Sequence, residues 1–253
     1  MGHDAMTGFF TISLRRFYPH WKLILAVMLL LSGMVQWHRS EAVSLRGGTN
    51  PHITWYVKTA QKAVALTFDD GPWKSSTPKI LHILTSNHAV ATFFVVGQQV
   101  VRNPQIVRQE IRDKMEVGNH TYSHINLARH TLREDVADLN KANHVIKEAT
   151  GITPTLLRTP YGTYNRTVLE AARSAHLHMV MWSWTEDTRD WSNPGVQTIV
   201  SRVLSHIQPG DIVLFHDGGS NRQQTIEALP IILKDLRLRG YRFVTVSQLM
   251  KMQ

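Results

Sequence analysis

The chain has 253 residues, of which 43% are hydrophobic and 19% charged, with a formal net charge of +9 and no cysteine. Its length and apolar content suit one sizeable domain plus an appendage and exclude an intrinsically disordered chain, while the lack of cysteine excludes disulfides, thiolate zinc sites and a cysteine nucleophile. The basic balance suits an anionic partner such as membrane lipid or an acidic cell wall, or else reflects a non-specific basic surface. No nucleic-acid motif or dense lysine and arginine run indicates a nucleic acid.

The first element in chain order is the uncharged apolar run LILAVMLLLSGMV at residues 23–35. A run of this length fits the hydrophobic region of a signal peptide better than a full membrane span. Trp21 and Trp37 bracket it as interfacial aromatics would, which favours an uncleaved anchor over cleavage near residues 40–42. The basic residues before the run place the N-terminus inside, so the rest of the chain is expected to be extracytoplasmic, either secreted or held by a single-pass anchor. The alternative is a buried core helix.

The organisation expected from these patterns has three parts. Residues 1–37 form a cytoplasmic tail and a signal or anchor segment, which contacts the membrane. Residues 38–58, which contain Gly47, Gly48, Asn50 and Pro51, form a linker. Residues 59–253 form the main domain.

In the main domain, strand and helix patterns alternate. Short apolar, β-branched runs predict buried strands at AVALTF, ATFFVVG, PTLLRTP, HMVMWSW, DIVLFHD and YRFVTV. Prolines at a first helical position predict helices that begin near Pro78 and Pro104. Thr131 and Glu134 predict a capping box, with Gly151 ending that helix. Further helices are expected at residues 165–176, 194–207 and 224–238, and Pro230 either kinks the last one or restarts it.

This alternation predicts an α/β fold with a parallel sheet covered by helices, either an open sheet or a closed barrel. In both architectures the functional site lies at the carboxyl ends of the strands. Five polar clusters stand at strand ends: GNHTYSH follows the short run MEV, and DDGP, RTPYG, DTRDW and HDGG lie at the ends of predicted strands. We therefore expect these clusters to form one site.

Two of the clusters carry residue types that bind metals. His120 and His124 are four residues apart and would share a face on a helical turn, although a chance pair is the alternative in a chain with 14 histidines. Thr121 stands where the HEXXH motif of zinc proteases has its glutamate, so the general base must lie elsewhere. Asp69 and Asp70 offer one ligand and one base. Two histidines and a carboxylate leave coordination positions open, as in hydrolytic metal sites.

Two further residues end predicted buried strands. His216 could act as a general acid for a leaving amine, or it could be a core histidine bonded to backbone. Arg158 needs a carboxylate partner if it is buried, and is otherwise an exposed loop residue. The possible partners are Asp69, Asp187 and Asp190.

The motifs TFDDGP, HTYSH, RTPYG, DTRDW and LFH resemble, in order and approximate spacing, the five motifs of the NodB-like polysaccharide deacetylases of carbohydrate esterase family 4. The resemblance covers residues 59–253 and implies a distorted, incomplete (β/α) barrel of mainly parallel strands. It implies that Asp69 is the general base, that Asp70, His120 and His124 hold a divalent metal (zinc, with cobalt or manganese possible), and that Arg158 fixes an active-site carboxylate.

The same resemblance implies roles for residues of the later motifs. The backbone N–H of Tyr161 would help to form the oxyanion hole, and Asp190 would tune the acid His216. Trp191 would form a wall of the groove, and Leu214 would line the acetyl pocket. No motif position departs from the family pattern, which favours an active enzyme.

Trp73 also lies beside a motif, and an aromatic face stacks well on a sugar ring; core packing is the alternative. The leading hypothesis is a metal-dependent hydrolase that removes N-acetyl groups from an N-acetylated glycan. Export and basic charge favour peptidoglycan as the substrate, with chitooligosaccharides next. The competing hypotheses are a small-molecule amidase and a non-catalytic wall-binding protein on the same fold. The sequence does not indicate an oligomeric state.

Overall fold

A computed structural model describes residues 51–253, and Pro51–Gln253 forms one compact unit. The predicted signal or anchor segment at residues 1–37 lies outside the described residues. Within residues 51–253, no helix combines the length and the apolar character needed to cross a membrane. The unit begins before the expected boundary at residue 59, because Ile53–Thr54 pairs with a strand of the main sheet.

The centre of the unit is an eight-stranded sheet in which all strand pairs are parallel. The strands are β1 (Ile53–Thr54), β2 (Ala63–Asp69), β3 (Thr92–Val95), β4 (Glu116–Asn119), β5 (Leu156–Leu157), β6 (His178–Val180), β7 (Ile212–His216) and β8 (Arg242–Phe243). Their spatial order is β1-β6-β5-β4-β3-β2-β7, and β8 pairs with the beginning of β2.

Helices connect the strands and cover the outside of the sheet. They are α1 (Thr77–Ser86), α2 (Gly97–Arg102), α3 (Pro104–Arg112), α4 (Leu132–Thr150), α5 (Arg166–Ser174), α6 (Val196–Leu204), α7 (Gln223–Leu238) and α8 (Val246–Met250). The predicted proline starts of α1 and α3 are confirmed. So are the capping box of Thr131 and Glu134 and the left-handed Gly151 that ends α4.

The sheet curls into an irregular barrel because the chain after β6 continues toward β7. Ser183 donates its backbone N–H to Ile212 O at 2.9 Å, and Leu214 N–H donates to Glu186 O at 3.0 Å. The segment after β6 is thus joined to β7 by separate hydrogen bonds rather than by a regular ladder. This arrangement confirms the expected distorted, incomplete (β/α) barrel.

Side-chain alternation along β2 separates the outside of the barrel from its interior. Val64, Leu66 and Phe68 pack outward into the core between sheet and helices. The other side chains of the strand point into the barrel. The first of them are small and leave space in the interior, and Thr67 and Asp69 follow toward the carboxyl end of the strand. The alternation therefore carries a carboxylate into the barrel at the carboxyl end of β2.

Several local expectations differ from the structure. The run YRFVTV forms only the two-residue β8, and a capping box of Thr245 and Gln248 then starts α8. Helix α7 runs unbroken through Pro230, which is exposed, so the carbonyl that proline leaves unpaired can face water. The HTYSH stretch is a loop rather than a helical turn.

Candidate active site

A cavity of about 500 Å³ opens at the carboxyl ends of the strands. It brings together residues from all five motifs, in the region where a parallel barrel is expected to carry its site. The sequence-predicted residues that line it are Asp69, Asp70, His120, His124, Tyr161, Trp191, Leu214 and His216. Arg158 and Asp190 lie behind this lining, fully buried or nearly so.

Asp70, His120 and His124 form a group whose ligand atoms all lie within 4.8 Å of one another. Nε2 of His124 lies 3.0 Å from Oδ1 of Asp70, and Nε2 of His120 lies 3.4 Å from the same oxygen. Burial alone would raise the pKa of Asp70, but hydrogen bonds from His120 and His124 and the charges of His120 and His216 lower it well below its ordinary value. Two imidazoles and an ionised carboxylate are a donor set that fits a divalent cation such as zinc.

Backbone turns, not a helix, aim these ligands. Asp70 and His124 have left-handed backbone conformations, with φ of 78° and 54°. His120 directly follows β4, and its Nδ1 lies 2.7 Å from the backbone oxygen of Arg158. That contact directs Nε2 toward Asp70 and fixes the tautomer, as the outer partner of a metal-binding histidine does. The expectation of a shared helical face was therefore wrong, although the two histidines do converge.

Arg158 and Asp69 form a buried ion pair inside the barrel. Nη1 of Arg158 donates to Oδ1 of Asp69 at 2.9 Å and to Oγ1 of Thr67 at 2.6 Å. Nε and Nη2 donate to the backbone oxygens of Val180 and Met181. Asp69, rather than Asp187 or Asp190, is thus the carboxylate that pairs with this arginine. With Oδ1 bound, Oδ2 of Asp69 faces His120 at 3.9 Å.

His216 stands opposite Asp69 because the two residues are paired in the register of β7 and β2. Its Nδ1 lies 2.7 Å from Oδ1 of Asp190, whose Oδ2 accepts from the His216 backbone N–H at 2.9 Å and from Thr225 Oγ1 at 2.7 Å. Burial lowers the pKa of His216, but the hydrogen bond and charge of Asp190 outweigh it, so the net shift is upward. Nε2 is left to face the cavity.

Tyr161 has a left-handed conformation, with φ of 62°. Its side chain is 68% exposed, and its ring lies edge-on to His124 with the centroids 5.0 Å apart. A non-glycine residue in this region is uncommon and is found where a backbone group must point in a particular direction. The strain is consistent with the backbone role expected of Tyr161.

The three expected substrate-binding residues do not share one cavity. Leu214 lies two residues before His216 on the inner face of β7, and Trp191 is 55% exposed at the rim. Trp73 lines a second cavity, which shares Asp70 and His124 with the first. Sequence reasoning missed Trp182, which lines the main cavity; it belongs to the HMVMWSW run, read as strand although β6 ends before it.

The cavity thus combines a potential cation site with a paired carboxylate and a carboxylate-bound histidine, which are groups that hydrolytic metal sites use. The family model for polysaccharide deacetylases matches residues 56–180, which include the first three motifs. A peptidoglycan-N-acetylglucosamine deacetylase of Bacillus cereus is 44% identical over 204 residues, covering 79% of this chain and 93% of the relative. The chain therefore belongs to the polysaccharide deacetylase family, carbohydrate esterase family 4.

Two further similarities show the range of this family. A chitooligosaccharide deacetylase of a Bradyrhizobium species is 38% identical over 200 residues, covering 74% of this chain and 90% of the relative. The crystal structure of a CE4 family pseudoenzyme from Bacillus anthracis matches with a TM-score of 0.74 and 30% identity, covering 80% of this chain and 70% of the other. The shared fold thus occurs with different activities, so the residues of the site must carry the functional assignment.

Proposed function

We propose that the protein is an extracytoplasmic, metal-dependent deacetylase that removes N-acetyl groups from peptidoglycan amino sugars and releases acetate. The observation that carries the proposal is the convergence of Asp70, His120 and His124 with the Asp69–Arg158 and His216–Asp190 pairs around one cavity. The Bacillus cereus relative supports the choice of substrate.

Asp70, His120 and His124 would hold the divalent cation, for which zinc suits the donors best and cobalt or manganese are the alternatives. When bound, such a cation acts as a Lewis acid that polarises the acetamide carbonyl and makes the attacking water more acidic. Residues of the chain itself carry out the proton transfers and bind the substrate.

Asp69 accepts the proton of the attacking water. Its Oδ1 is held by Arg158, so the carboxylate cannot turn away, and its Oδ2 remains free to take the proton. The arginine is neutralised by this pairing and bonded at all three nitrogens, which makes a buried guanidinium tolerable. Arg158 is therefore a positioning residue for the base.

His216 protonates the departing amine nitrogen. Because Asp190 binds Nδ1, the proton to be transferred sits on Nε2, which faces the cavity. As the carbon–nitrogen bond breaks, that proton moves to the sugar amine and the acetyl carbon leaves as acetate. The raised pKa of His216 keeps the imidazolium form, the proton donor, present closer to neutral pH.

Other lining residues would bind the substrate. The backbone N–H of Tyr161 would donate to the oxygen that gains negative charge as the carbonyl is attacked. Leu214 would contact the acetyl methyl group, and Trp191 would stack against the sugar at the rim. Trp73, in the second cavity, would contact a neighbouring sugar of the same chain.

A chitooligosaccharide is the second candidate substrate, favoured by the Bradyrhizobium relative. Acetate release by the purified full-length chain would be measured on peptidoglycan, on N-acetylglucosamine oligomers and on a simple acetamide, each with and without a chelator. Chelator-sensitive release from peptidoglycan at the highest kcat/KM supports the proposal. Faster release from the oligomers would favour the second candidate, and no release by the metal-loaded protein would favour a wall-binding role.

Residues 1–37 would export the domain and tether it to the outer face of the membrane, with residues following them as a linker. Protease treatment of intact cells followed by immunoblotting tests this. The domain should be accessible and should sediment with membranes if the segment is an uncleaved anchor. Recovery in the medium would indicate cleavage, and protection from protease would contradict export.

A further inference from the structure

A second cavity, of about 410 Å³, adjoins the cation-ligand group. Its size lies within the range of small-molecule sites, about 300–1,000 Å³. It shares Asp70 and His124 with the main cavity, so a glycan whose reacting sugar lies there can place a neighbouring sugar here. The remaining lining residues are Trp73, Val96, Gln98, Gln99, Gly219 and Arg222.

Arg222 is the unusual member of this lining. It is only 4% exposed, yet it forms no ion pair within the described part of the chain. Its Nε donates to the backbone oxygen of Gly218 at 2.6 Å, and its Nη1 is buried without a hydrogen-bond partner among residues 51–253. A buried guanidinium with no carboxylate in direct contact is costly, because its charge has lost water without gaining an ion pair. Arg158, by contrast, is paired with Asp69.

The guanidinium borders the same space as the cation ligands. Gly219 lies between them with φ of 83°, and a Cβ added there would be 2.9 Å from Oδ2 of Asp70 and 3.3 Å from Nη2 of Arg222. A side chain at this position would therefore stand against both groups, and glycine leaves the passage between them open.

We propose that Arg222 binds a carboxylate carried by the glycan unit adjacent to the N-acetyl sugar that is being deacetylated. This inference rests on the proposed function and deepens it. A guanidinium and a carboxylate form strong, directional, charge-assisted hydrogen bonds. Of the other polar side chains of the cavity, Gln98 and Gln99 are neutral, and Asp70 and His124 belong to the cation-ligand group. In peptidoglycan the carboxylate comes from the lactyl group of muramic acid or from the peptide attached to it. Chitin has no carboxylate, so Arg222 would favour peptidoglycan over chitin.

The test compares kcat/KM on a peptide-free tetrasaccharide of alternating N-acetylglucosamine and N-acetylmuramic acid with kcat/KM on chitotetraose. In the metal-loaded full-length protein, Arg222→Gln should lower the ratio of the two values about 10- to 100-fold, mainly through KM. Arg222→Lys, which keeps the charge, should lower it less. Arg173→Gln removes the same charge from an exposed position on α5 and should leave the ratio unchanged.

A second measurement begins with the wild-type protein, and this part does not depend on how the variant folds. Methyl esterification of the lactyl carboxylates should weaken the wild-type protein's binding of the tetrasaccharide, measured by calorimetry, about as much as Arg222→Gln does. Mutation and esterification together should lower the binding affinity no more than either change alone, since both remove the same contact. A peptide-bearing tetrasaccharide, whose lactyl carboxyl is amidated, identifies the source: sensitivity to Arg222→Gln there assigns the carboxylate to the peptide.

If Arg222→Gln leaves the ratio unchanged, or is additive with esterification, and also has no effect with the peptide-bearing tetrasaccharide, the inference is overturned while the deacetylase function stands. If the wild-type protein releases acetate from none of the substrates, the proposed function fails and this inference fails with it.

Discussion

Replacing Asp190 by Asn tests the general-acid role that we assign to His216. The substitution keeps the size of the side chain but removes the charge that lies 2.7 Å from Nδ1. In the wild-type protein burial would lower the pKa of His216, and the net upward shift depends on Asp190 as the first of the opposing contributions. Without that charge the protonated imidazole loses the interaction that stabilises it most, so the pKa of His216 must fall.

The size of the effect follows from the contact that is lost. A hydrogen bond to a charged group contributes about 1.5–3 kcal/mol, so Asp190→Asn should destabilise the imidazolium by about that amount. We therefore expect the pKa of His216 to fall in this variant. Because His216 must be protonated to donate to the amine, the alkaline limb of the pH profile of kcat/KM should move to lower pH.

The assay is acetate release measured across the pH range, with the His216 ring followed by NMR. Asp187→Asn is the matched control: Asp187 lines the same cavity, but its Oδ1 accepts from the backbone of Arg189 rather than from His216. That control should leave the alkaline midpoint in place whatever it does to the rate. The general-acid assignment would be refuted if the midpoint pH of the alkaline limb did not change in Asp190→Asn, or if it changed equally in both variants.

Four further predictions concern the base, a cation ligand, the arginine paired with the base, and a buried acid. Asp69→Asn should lower kcat about 10²- to 10⁴-fold while bound metal, measured by mass spectrometry, stays at the wild-type level; loss of metal would undo the division of roles between Asp69 and Asp70. His124→Ala should lose both metal and activity, and full activity would show that the ligand assignment is wrong. Arg158→Met leaves a buried carboxylate unpaired and should lower the free energy of unfolding in urea by about 3–5 kcal/mol; a loss below about 1 kcal/mol would contradict the bracing role. Burial, followed by the charge of Asp211, raises the pKa of Glu186 to about 8. The wild-type protein should therefore lose stability as pH rises from about 4.5 to 8, and Glu186→Gln should lose about 2–5 kcal/mol less over that range; equal pH slopes would contradict this.

Local patterns predicted much of this fold. Strand β2 and strand β7 were visible as apolar, β-branched runs, and the helices α1, α3 and α4 were visible through proline starts and a capping box. The same patterns placed the polar clusters at strand ends, where the structure brings Asp69 and His216 into register. These features are local, or follow from the rules of parallel sheets, so a sequence can reveal them.

Features that depend on distant contacts were missed. Strand β1 has two residues and exists only because β6 lies beside it, so its segment was assigned to a linker. The convergence of His120 and His124 depends on left-handed turns and on a contact to the backbone of Arg158, none of which the residue spacing reveals. The choice of Asp69 as the partner of Arg158, and the isolation of Arg222, likewise depend on which side chains the closed barrel brings together.

The bonding of Arg158 has an evolutionary consequence. Its guanidinium contacts β2 and the backbone at and just beyond the end of β6, so it braces the barrel besides orienting the base. A descendant that no longer needed catalysis would lose His124, whose side chain is partly exposed, at a smaller cost to folding than Arg158 or Asp69. Selection for stability alone should preserve that pair. Inactive members of such a lineage should therefore be sought first by changes at His124.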